Sequence, residues 1–398
     1  MLEGKHIVLG VTGSIAAYKT ASLASMLKKQ QADVTVIMTK NATNFINPIT
    51  FEELTGNKCL VDTFDRNFAH SVEHISLARQ TDVFLIAPAS ANVIAKAAYG
   101  IADDMLTTTY LACGCPKIVA PAMNTRMYRN PVTQDNLERL RHYQTEIITP
   151  AKGYLACGDV GEGKMPDPEI LFEYLVKALT PKDMAGQKVL VTAGPTREKI
   201  DPVRYISNHS TGKMGYAIAK AAMMRGAEVT LVTGKTQLAP PIHVETIEIT
   251  SAAEMAEAVK SLAEQQDIII KAAAVADYRP KYTSEEKLKK KDGDMNIALE
   301  RTEDILGFLG AHKRKGQFLC GFSMETENME QNSREKLRKK NLDLIVANNL
   351  KQEGAGFGTD TNIVTLLSET DSVQLSKMSK EEVADRLLDY ILSCKKMS

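Results

Sequence analysis

Residues 5–38 decide the fold of the first half: KHIVLGV (5–11), TGS (12–14), a helical stretch from Ile15 to Lys29, and VTVIM (34–38). KHIVLGV is a short apolar run rich in β-branched residues, the pattern of a strand buried in a parallel sheet. Thr12-Gly13-Ser14 breaks the run, and the next strand begins at Val34. Such a strand–loop–helix–strand unit crosses over right-handed in a parallel sheet. Further strands are expected at Val83–Ala87 and Lys117–Ala120, separated by a helix from Ala91 to Ala98.

A second start comes at Gly186. KVLVTAG (188–194) is again a buried strand ending in glycine, followed by a helix from about Gly215 to Arg225 and a strand, VTLVT (229–233). Asp267–Ile270, Gln317–Gly321 and Leu342–Ala347 supply more strands. Both halves therefore read as α/β domains with parallel sheets. A helix from Pro168 to Leu179 and the stretch TPKDMAG (180–186) form the junction, giving domains 1–183 and 184–398. KYTSEEKLKKKDGDMN (281–296) is highly charged and is expected to be a mobile loop.

A chain of 398 residues is too long for one ordinary core, in agreement with two domains. Basic and acidic residues balance at 49 each, which argues against a general nucleic-acid or membrane-surface binder. MLEGKHIVLG lacks the three regions of a signal peptide, and no apolar run approaches the roughly 18 residues that span a bilayer. Cys59, Cys113, Cys115, Cys157, Cys320 and Cys394 are scattered and form no C-x-x-C pair. A reduced, cytoplasmic protein whose cysteines act as thiols is expected.

Ligands of open parallel sheets bind at the carboxyl ends of strands. Thr12-Gly13-Ser14 sits there, before a helix N-terminus suited to a phosphate, though it is no G-x-G-x-x-G fingerprint. APASAN (87–92) and APAMNTRMY (120–128) follow later strands. GYLACGDVGEGKM (153–165) carries Cys157 among glycines, which suits a flap closing over substrate. His74, Asn124 or Cys157 alone is an ordinary residue; the combination is not.

VTGSIAAYK, HISLAR, PASAN, GIADDMLTT, PAMNxxM and GYLACGxxGxG occur in order over about the first 165 residues. Together they resemble the phosphopantothenoylcysteine decarboxylases, a family of flavin-containing cysteine decarboxylases. The resemblance implies a flavodoxin-like doubly wound domain, an FMN cofactor and assembly as a trimer or a multiple of it. FMN would be held by Gly13, Ser14 and the Ser90 loop. His74 would assist oxidation and decarboxylation, Asn124 would hold the substrate carboxylate, and Cys157 would donate a proton. Loss of CO₂ from a cysteine amide leaves a carbanion without delocalisation. Prior oxidation of the CH₂–S group to a thioaldehyde supplies an electron sink. Tyr128 stands where the family usually has Trp, and Lys164 replaces an arginine, losing bidentate pairing.

In the second half, VTAGPTREKIDPVRYISNHSTGKMG (191–215) reads as a long loop between strand and helix. Its STGK is not a Walker A motif: Ser207 occupies the first-glycine position and Met214 follows the lysine. DPVRYISNHSTGKMG, AAAVADYRP, EKLKK, GFSMET and KxxxKNLDLIVAN resemble the phosphopantothenate–cysteine ligases over roughly residues 188–365. That resemblance implies a Rossmann-like α/β domain. The carboxylate would be activated with CTP and Mg²⁺ to an acyl-cytidylate, from which the cysteine amine displaces CMP. CTP contacts would come from Lys271, Ala272, Ala273, Asp277, Lys287, Glu303, Asp304, Ile305, Leu306, Phe322, Lys336 and Lys340. Asn208 would handle the acyl-cytidylate and Lys287 the departing pyrophosphate. Magnesium would arrive with the nucleotide. Lys271 and TEDI at 302–305 depart from the family pattern. Trimeric decarboxylase and dimeric ligase contacts together would close a homo-oligomer such as a dodecamer. A flavin-dependent oxidoreductase or prenyltransferase relative, and a non-catalytic regulatory flavoprotein, are the competing classes. Neither requires Asn124, Cys157 and the second half together.

Overall fold

The computed structural model describes residues 2–64, 73–156, 158–289, 295–325, 329–349 and 358–397. They divide into two units, Met1–Thr180 and Pro181–Ser398.

In the first unit, β1 (His6–Val11), β2 (Asp33–Met38), β3 (Val83–Ala89), β4 (Lys117–Pro121) and β5 (Glu146–Ile147) form one parallel sheet in the order 2-1-3-4-5. This is the flavodoxin-like doubly wound order. A hairpin, β6 (Ala151–Tyr154) and β7 (Val160–Lys164), follows. The helices are α1 (Ala17–Lys29), α2 (Pro48–Thr55), α3 (Glu73–Gln80), α4 (Ala91–Tyr99), α5 (Met105–Ala112), α6 (Thr125–Tyr128), α7 (Pro131–His142) and α8 (Pro168–Leu179). All seven residues of β3 are buried, as its unbroken apolar run predicts. Phe84 and Ile86 pack with Val93, Leu106, Tyr110 and Leu137 on the face covered by α4, α5 and α7. Burying one such side chain stabilises by roughly 1.5–3 kcal/mol. Local signals set the helix ends. In α2, Asn47 accepts the Ile49 N–H, Pro48 opens the helix, and Gly56 closes it at φ 72°.

The second unit contains β8 (Lys188–Ala193), β9 (Arg197–Lys199), β10 (Tyr205–Ser207), β11 (Glu228–Gly234), β12 (Glu245–Ile249), β13 (Ile268–Lys271), β14 (Tyr278–Pro280), β15 (Leu299–Arg301), β16 (Phe318–Glu325), β17 (Leu344–Asn349), β18 (Thr361–Asn362), β19 (Val364–Leu367), β20 (Ser372–Gln374) and β21 (Met378–Ser379). Its helices are α9 (Lys213–Met224), α10 (Ala252–Ala263), α11 (Ile305–Ala311), α12 (Met329–Lys339) and α13 (Lys380–Met397). The main sheet runs β12-β11-β8-β13-β16-β17-β19-β20. Counted within the unit, its six parallel strands have the Rossmann order 3-2-1-4-5-6.

The sheet is mixed rather than purely parallel, because β19 and β20 add antiparallel. Ser372–Gln374 is an edge strand without an apolar run, so periodicity does not reveal it. The 191–215 stretch is not simply a loop either, since β9 and β10 pair inside it. Leu190, Ile269 and Leu319 face a core made with Met255, Val259, Ile305 and Leu337 from α10–α12. On the other face α9 packs against α13. The nearly buried Arg225 guanidinium bonds Asp183 at 2.9 Å and Asp389 at 2.9 Å, joining the unit's first and last segments. Among the described residues, no helix is long and apolar enough to cross a membrane.

Candidate active sites

In a 2-1-3-4-5 sheet the strand order reverses between β1 and β3, and a crevice opens beyond their carboxyl ends. Thr12, fully buried, stitches the two loops together there. Its hydroxyl donates to the Pro88 carbonyl (2.7 Å) and accepts the Ser90 N–H (2.9 Å). Gly13 lies so close to the β2–α2 connection that a Cβ would stand 3.0 Å from Asn41 Cβ. Ser14 accepts the Ala16 N–H (3.3 Å), while α1 begins at Ala17 with no side-chain cap. Ala17 N–H returns to the Ser14 carbonyl (3.1 Å) and Lys19 N–H to the Ala16 carbonyl (3.0 Å), so the loop turns tightly into α1, whose positive dipole end still favours an anion. Ser90 caps α4 through Val93 N–H at 3.4 Å. Gly13, Ser14 and Ser90 are thus brought together. Thr12→Val keeps the shape and removes both hydroxyl bonds. It is expected to destabilise the first unit by roughly 2–3 kcal/mol, measured by urea unfolding.

Asn124 stands at the head of α6, where its Oδ1 accepts the Arg126 N–H (2.8 Å) and its Nδ2 donates to Asp159 Oδ2 (2.9 Å). Asp159 belongs to the turn of the β6–β7 hairpin, which lies on the 123–125 loop through Met123 N–H to Gly163 O at 3.0 Å. The glycines here serve close packing. A Cβ on Gly161 would stand 2.5 Å from Thr125 Oγ1, and one on Gly163 (φ +128°) 2.2 Å from the Met123 carbonyl oxygen. Gly153, Gly161 and Gly163 are strand residues, so the expected flap is a hairpin over its described residues. Cys157 lies outside the described residues. Lys152 and Arg129 hold the Glu162 carboxyl below its ordinary range. His74 is half-buried in α3, which packs on α5, and no described residue is hydrogen-bonded to its side chain.

The second sheet reverses between β8 and β13. Ala274 N–H donates to Gly194 O (3.0 Å), and Ala274 O accepts both Thr196 N–H (3.2 Å) and Asn208 Nδ2 (3.1 Å). Ala273 N–H donates to Thr192 Oγ1 at 3.1 Å. Asn208 and the Ala272–Ala273 backbone are therefore gathered at the crevice. Gly215 lets α9 lean on β8, since a Cβ there would stand 2.6 Å from Ala193 Cβ.

A second group forms around Asp304, whose Oδ1 accepts Gly307 N–H (3.0 Å) and Lys340 Nζ (2.9 Å). Lys336 Nζ reaches Ser323 Oγ (3.3 Å), next to Phe322 in β16. Lys271, at the end of β13, is 9% exposed. Burial pushes its ammonium down to about 8, against the pull of Asp304 and Asp277 and with the push of Lys340. Thr302 ties the segment before α11 to the end of β13, its N–H on Asp277 O (3.0 Å) and its hydroxyl on Ala276 O (2.6 Å). Ile305 N–H turns back onto Glu303 O (3.1 Å), and Leu306 follows in α11.

Sequence reasoning missed Lys260, Arg279 and Arg301. They line a cleft of about 560 Å³ beside Thr302 and Glu303. Lys260 pairs with Glu303 and sits 4.5 Å over the Phe308 ring. Arg279 lies inside AAAVADYRP, a motif that could have pointed to it; Lys260, mid-helix in α10, carried no such signal.

Lys287 is exposed, yet its loop is tethered. Ser284 N–H bonds Ile200 O (3.0 Å), Leu288 N–H bonds Asp201 Oδ2 (3.2 Å), and Arg204 Nη2 bonds Leu288 O (2.8 Å). Arg204 beside Asp201 holds that buried carboxyl well below the usual carboxylate range. The expected mobile loop is thus anchored over 283–288; residues 290–294 lie outside the described residues. Among the described residues no group of three or more His, Cys, Asp or Glu side chains could hold a metal ion.

The flavoprotein family model matches residues 1–180, and the model for the C-terminal domain of DNA/pantothenate metabolism flavoproteins matches residues 184–394. The coenzyme A biosynthesis bifunctional protein CoaBC of Bacillus subtilis is 46% identical over 403 residues, covering 100% of this chain and 99% of that protein. Its counterpart from Escherichia coli is 43% identical over 396 residues, covering 98% of each. A solved PPC decarboxylase mutant complexed with pantothenoylaminoethenethiol is 32% identical, over 43% of this chain and 96% of that one, with a TM-score of 0.39. With its flavoprotein unit followed by a DNA/pantothenate metabolism unit, the chain belongs to the family of bifunctional coenzyme A biosynthesis proteins.

Proposed function

We propose that the second unit joins cysteine to 4′-phosphopantothenate at the expense of CTP, and that the first unit decarboxylates the product to 4′-phosphopantetheine. The observation that carries this reading is the convergence of the motif loops of each unit on its own sheet's switch point. Thr12 and Ser90 meet in one, Asn208 and Ala274 in the other.

The first crevice fits FMN. Its phosphate would meet the positive dipole end of α1 and the Ser14 and Ser90 hydroxyls, and Gly13 keeps the approach narrow. When bound, FMN supplies a reversible hydride acceptor. Asn124 orients the substrate carboxylate for loss as CO₂, with Asp159 holding its amide in place. His74 assists at the reacting carbon. The Cys157 thiol returns a proton to the carbon that lost CO₂.

In the second unit, the carboxylate attacks the α-phosphorus of CTP and pyrophosphate leaves with its charge met by Lys287; Mg²⁺ carried by the nucleotide would supply further charge stabilisation. Asn208 holds the acyl-cytidylate at the crevice while the cysteine amine displaces CMP. Lys336, Lys340, Asp277, Phe322 and the 303–306 backbone bind the nucleotide. Assembly into a homo-oligomer belongs to the same reading; Ile15, Tyr18, Ile49, Leu111 and Val132 are apolar side chains that the first unit leaves exposed.

The test is incubation of purified protein with 4′-phosphopantothenate, cysteine, Mg²⁺ and CTP or ATP, with products followed by mass. Formation of 4′-phosphopantetheine, CMP and CO₂ is expected. Cys157→Ser is expected to release CO₂ and stall before the saturated product; normal 4′-phosphopantetheine from that variant removes Cys157 from the scheme. Absence of any product with either nucleotide overturns the whole reading.

A further inference from the structure

Cys113 and Cys115 stand apart from the sites described above. The first crevice lies beyond the carboxyl ends of β1 and β3. Cys113 instead closes α5, and Cys115 comes just before β4, at the amino-terminal edge of the same sheet. Cys113 leaves the helix in extended form (φ −69°, ψ 132°), and alternate residues of an extended chain point to the same side. Their thiols accordingly meet in a hydrogen bond. The backbone around the pair is fixed, with Cys113 N–H on Thr109 O (3.0 Å) and Pro116 O accepting Phe84 N–H (3.0 Å). Cys113 is 4% exposed and Cys115 half-buried, and both pack with Leu77 and Ala78 of α3. Cys115 lines an open cleft of about 480 Å³ that Arg79 also borders.

The pair has the chemistry of a reactive dithiol. The hydrogen bond from Cys115 holds the Cys113 thiol below its ordinary range, against the cost of burial and with help from the Lys117 ammonium. The same bond keeps the proton on Cys115. Burial pushes the Cys59 thiol up to about 12, and it raises Cys320 and Cys394 as well. Thiolates are the nucleophiles, and those that answer to oxidants sit in electropositive, accessible places beside a resolving cysteine. Here Cys113 supplies the charge and Cys115 the access. We infer that Cys113 and Cys115 form a reversible dithiol–disulfide site on the first unit, oxidised by a peroxide that enters through the cleft. The Cys113 thiolate attacks one peroxide oxygen, forming an S–O bond as the O–O bond breaks. The departing hydroxide takes the Cys115 proton and becomes water. The Cys115 sulfur then attacks the Cys113 sulfenic acid; the S–S bond forms, the S–O bond breaks, and hydroxide leaves to be protonated by solvent. Two electrons pass from the thiols to the peroxide. Closing so short a loop strains the bond, and strained disulfides are the ones that free thiols reopen.

The experiment treats the reduced full-length protein with equimolar hydrogen peroxide, blocks the remaining thiols with iodoacetamide and maps tryptic fragments by mass. One fragment, residues 97–117, carries both cysteines, and Cys157 falls in another, so oxidation of Cys157 does not obscure the result. The 97–117 fragment is expected to lose two hydrogens, to take up no blocking group, and to return to the doubly blocked form after dithiothreitol. The fragments with Cys59, Cys320 and Cys394 should stay blocked throughout. Cys115→Ser should stop at a Cys113 sulfenic acid that dimedone traps. In Cys113→Ser, oxidation of this fragment should be slower by about tenfold or more. Persistent double blocking of 97–117 at peroxide levels that already oxidise Cys59 or Cys320 would overturn the inference. A disulfide from either cysteine to a different fragment overturns it too, as does unslowed oxidation in Cys113→Ser. Should either variant fail to fold, the wild-type fragment map decides alone.

Discussion

Replacing Gly163 by alanine is expected to lower decarboxylation by about 100-fold or more while pyrophosphate release by the second unit stays within about twofold. The new methyl would stand 2.2 Å from the Met123 carbonyl oxygen, at a φ of +128° that side-chain-bearing residues rarely adopt. Backbone cannot yield as the tip of a flexible side chain can, so the hairpin must lift from the 123–125 loop. Lifting it breaks the Met123–Gly163 bond and draws Asp159 away from Asn124. Displacements near 1 Å at a positioned group are enough to cost a factor of about 100. CO₂ and pyrophosphate release from one preparation checks this, since both activities share the chain. Equal loss of the two would point to general misfolding, and unchanged CO₂ release would show that the hairpin seat is irrelevant to chemistry.

Asp201→Ala is expected to be the most damaging single change in the second unit outside its motif lysines. The carboxylate accepts Val203 N–H (2.8 Å), Arg204 N–H (2.8 Å), Arg204 Nε (2.9 Å) and Leu288 N–H (3.2 Å). Its loss strands three backbone donors and releases the segment that carries Lys287. Ligation should fall by roughly 10- to 100-fold, through kcat more than through the KM for phosphopantothenate, because the positioned charge serves pyrophosphate departure. The pH dependence has a definite sign. Because the folded carboxyl titrates below its unfolded value, near 4 for aspartate, its stabilisation is complete above that value. It is lost only as pH falls through the lower, folded value. Acid unfolding of the wild type should therefore lag that of the variant as pH is lowered through the carboxylate range. Coincident acid transitions for the two proteins would sink this account.

The parts of the fold that proved legible are those where one physical signal dominates. IVLGV (7–11) and VLV (189–191) are apolar runs because parallel strands are covered on both faces, and both became part of the first strands of their sheets. The α8 boundaries were readable because Pro168 opens the helix and TPKDMAG ends it. Glu146–Ile147 and Ser372–Gln374 were not, since their partners rather than their own composition make them strands. At the sites, motif loops showed which residues matter but not how they are held. Nothing in GYLACGDVGEGK says that Gly163 is needed for the Met123 oxygen, and nothing in DPVR says that Asp201 reaches Leu288. Both are contacts between segments separated by 40 or 87 positions, fixed only when the chain closes.

Arg225 gives the order of events during synthesis a physical basis. By holding Asp183 and Asp389 together, it spans nearly the whole second unit with one guanidinium. Its central strand β8 leaves the ribosome early but must wait for β13 to pair its second edge, and α9 waits for α13 to cover its outer side. The first unit closes over sequence that has all emerged by Leu179. Translation thus delivers a finished flavoprotein while its successor is still an incomplete sheet with exposed apolar strands. Chaperone demand and aggregation risk fall on the later-made unit.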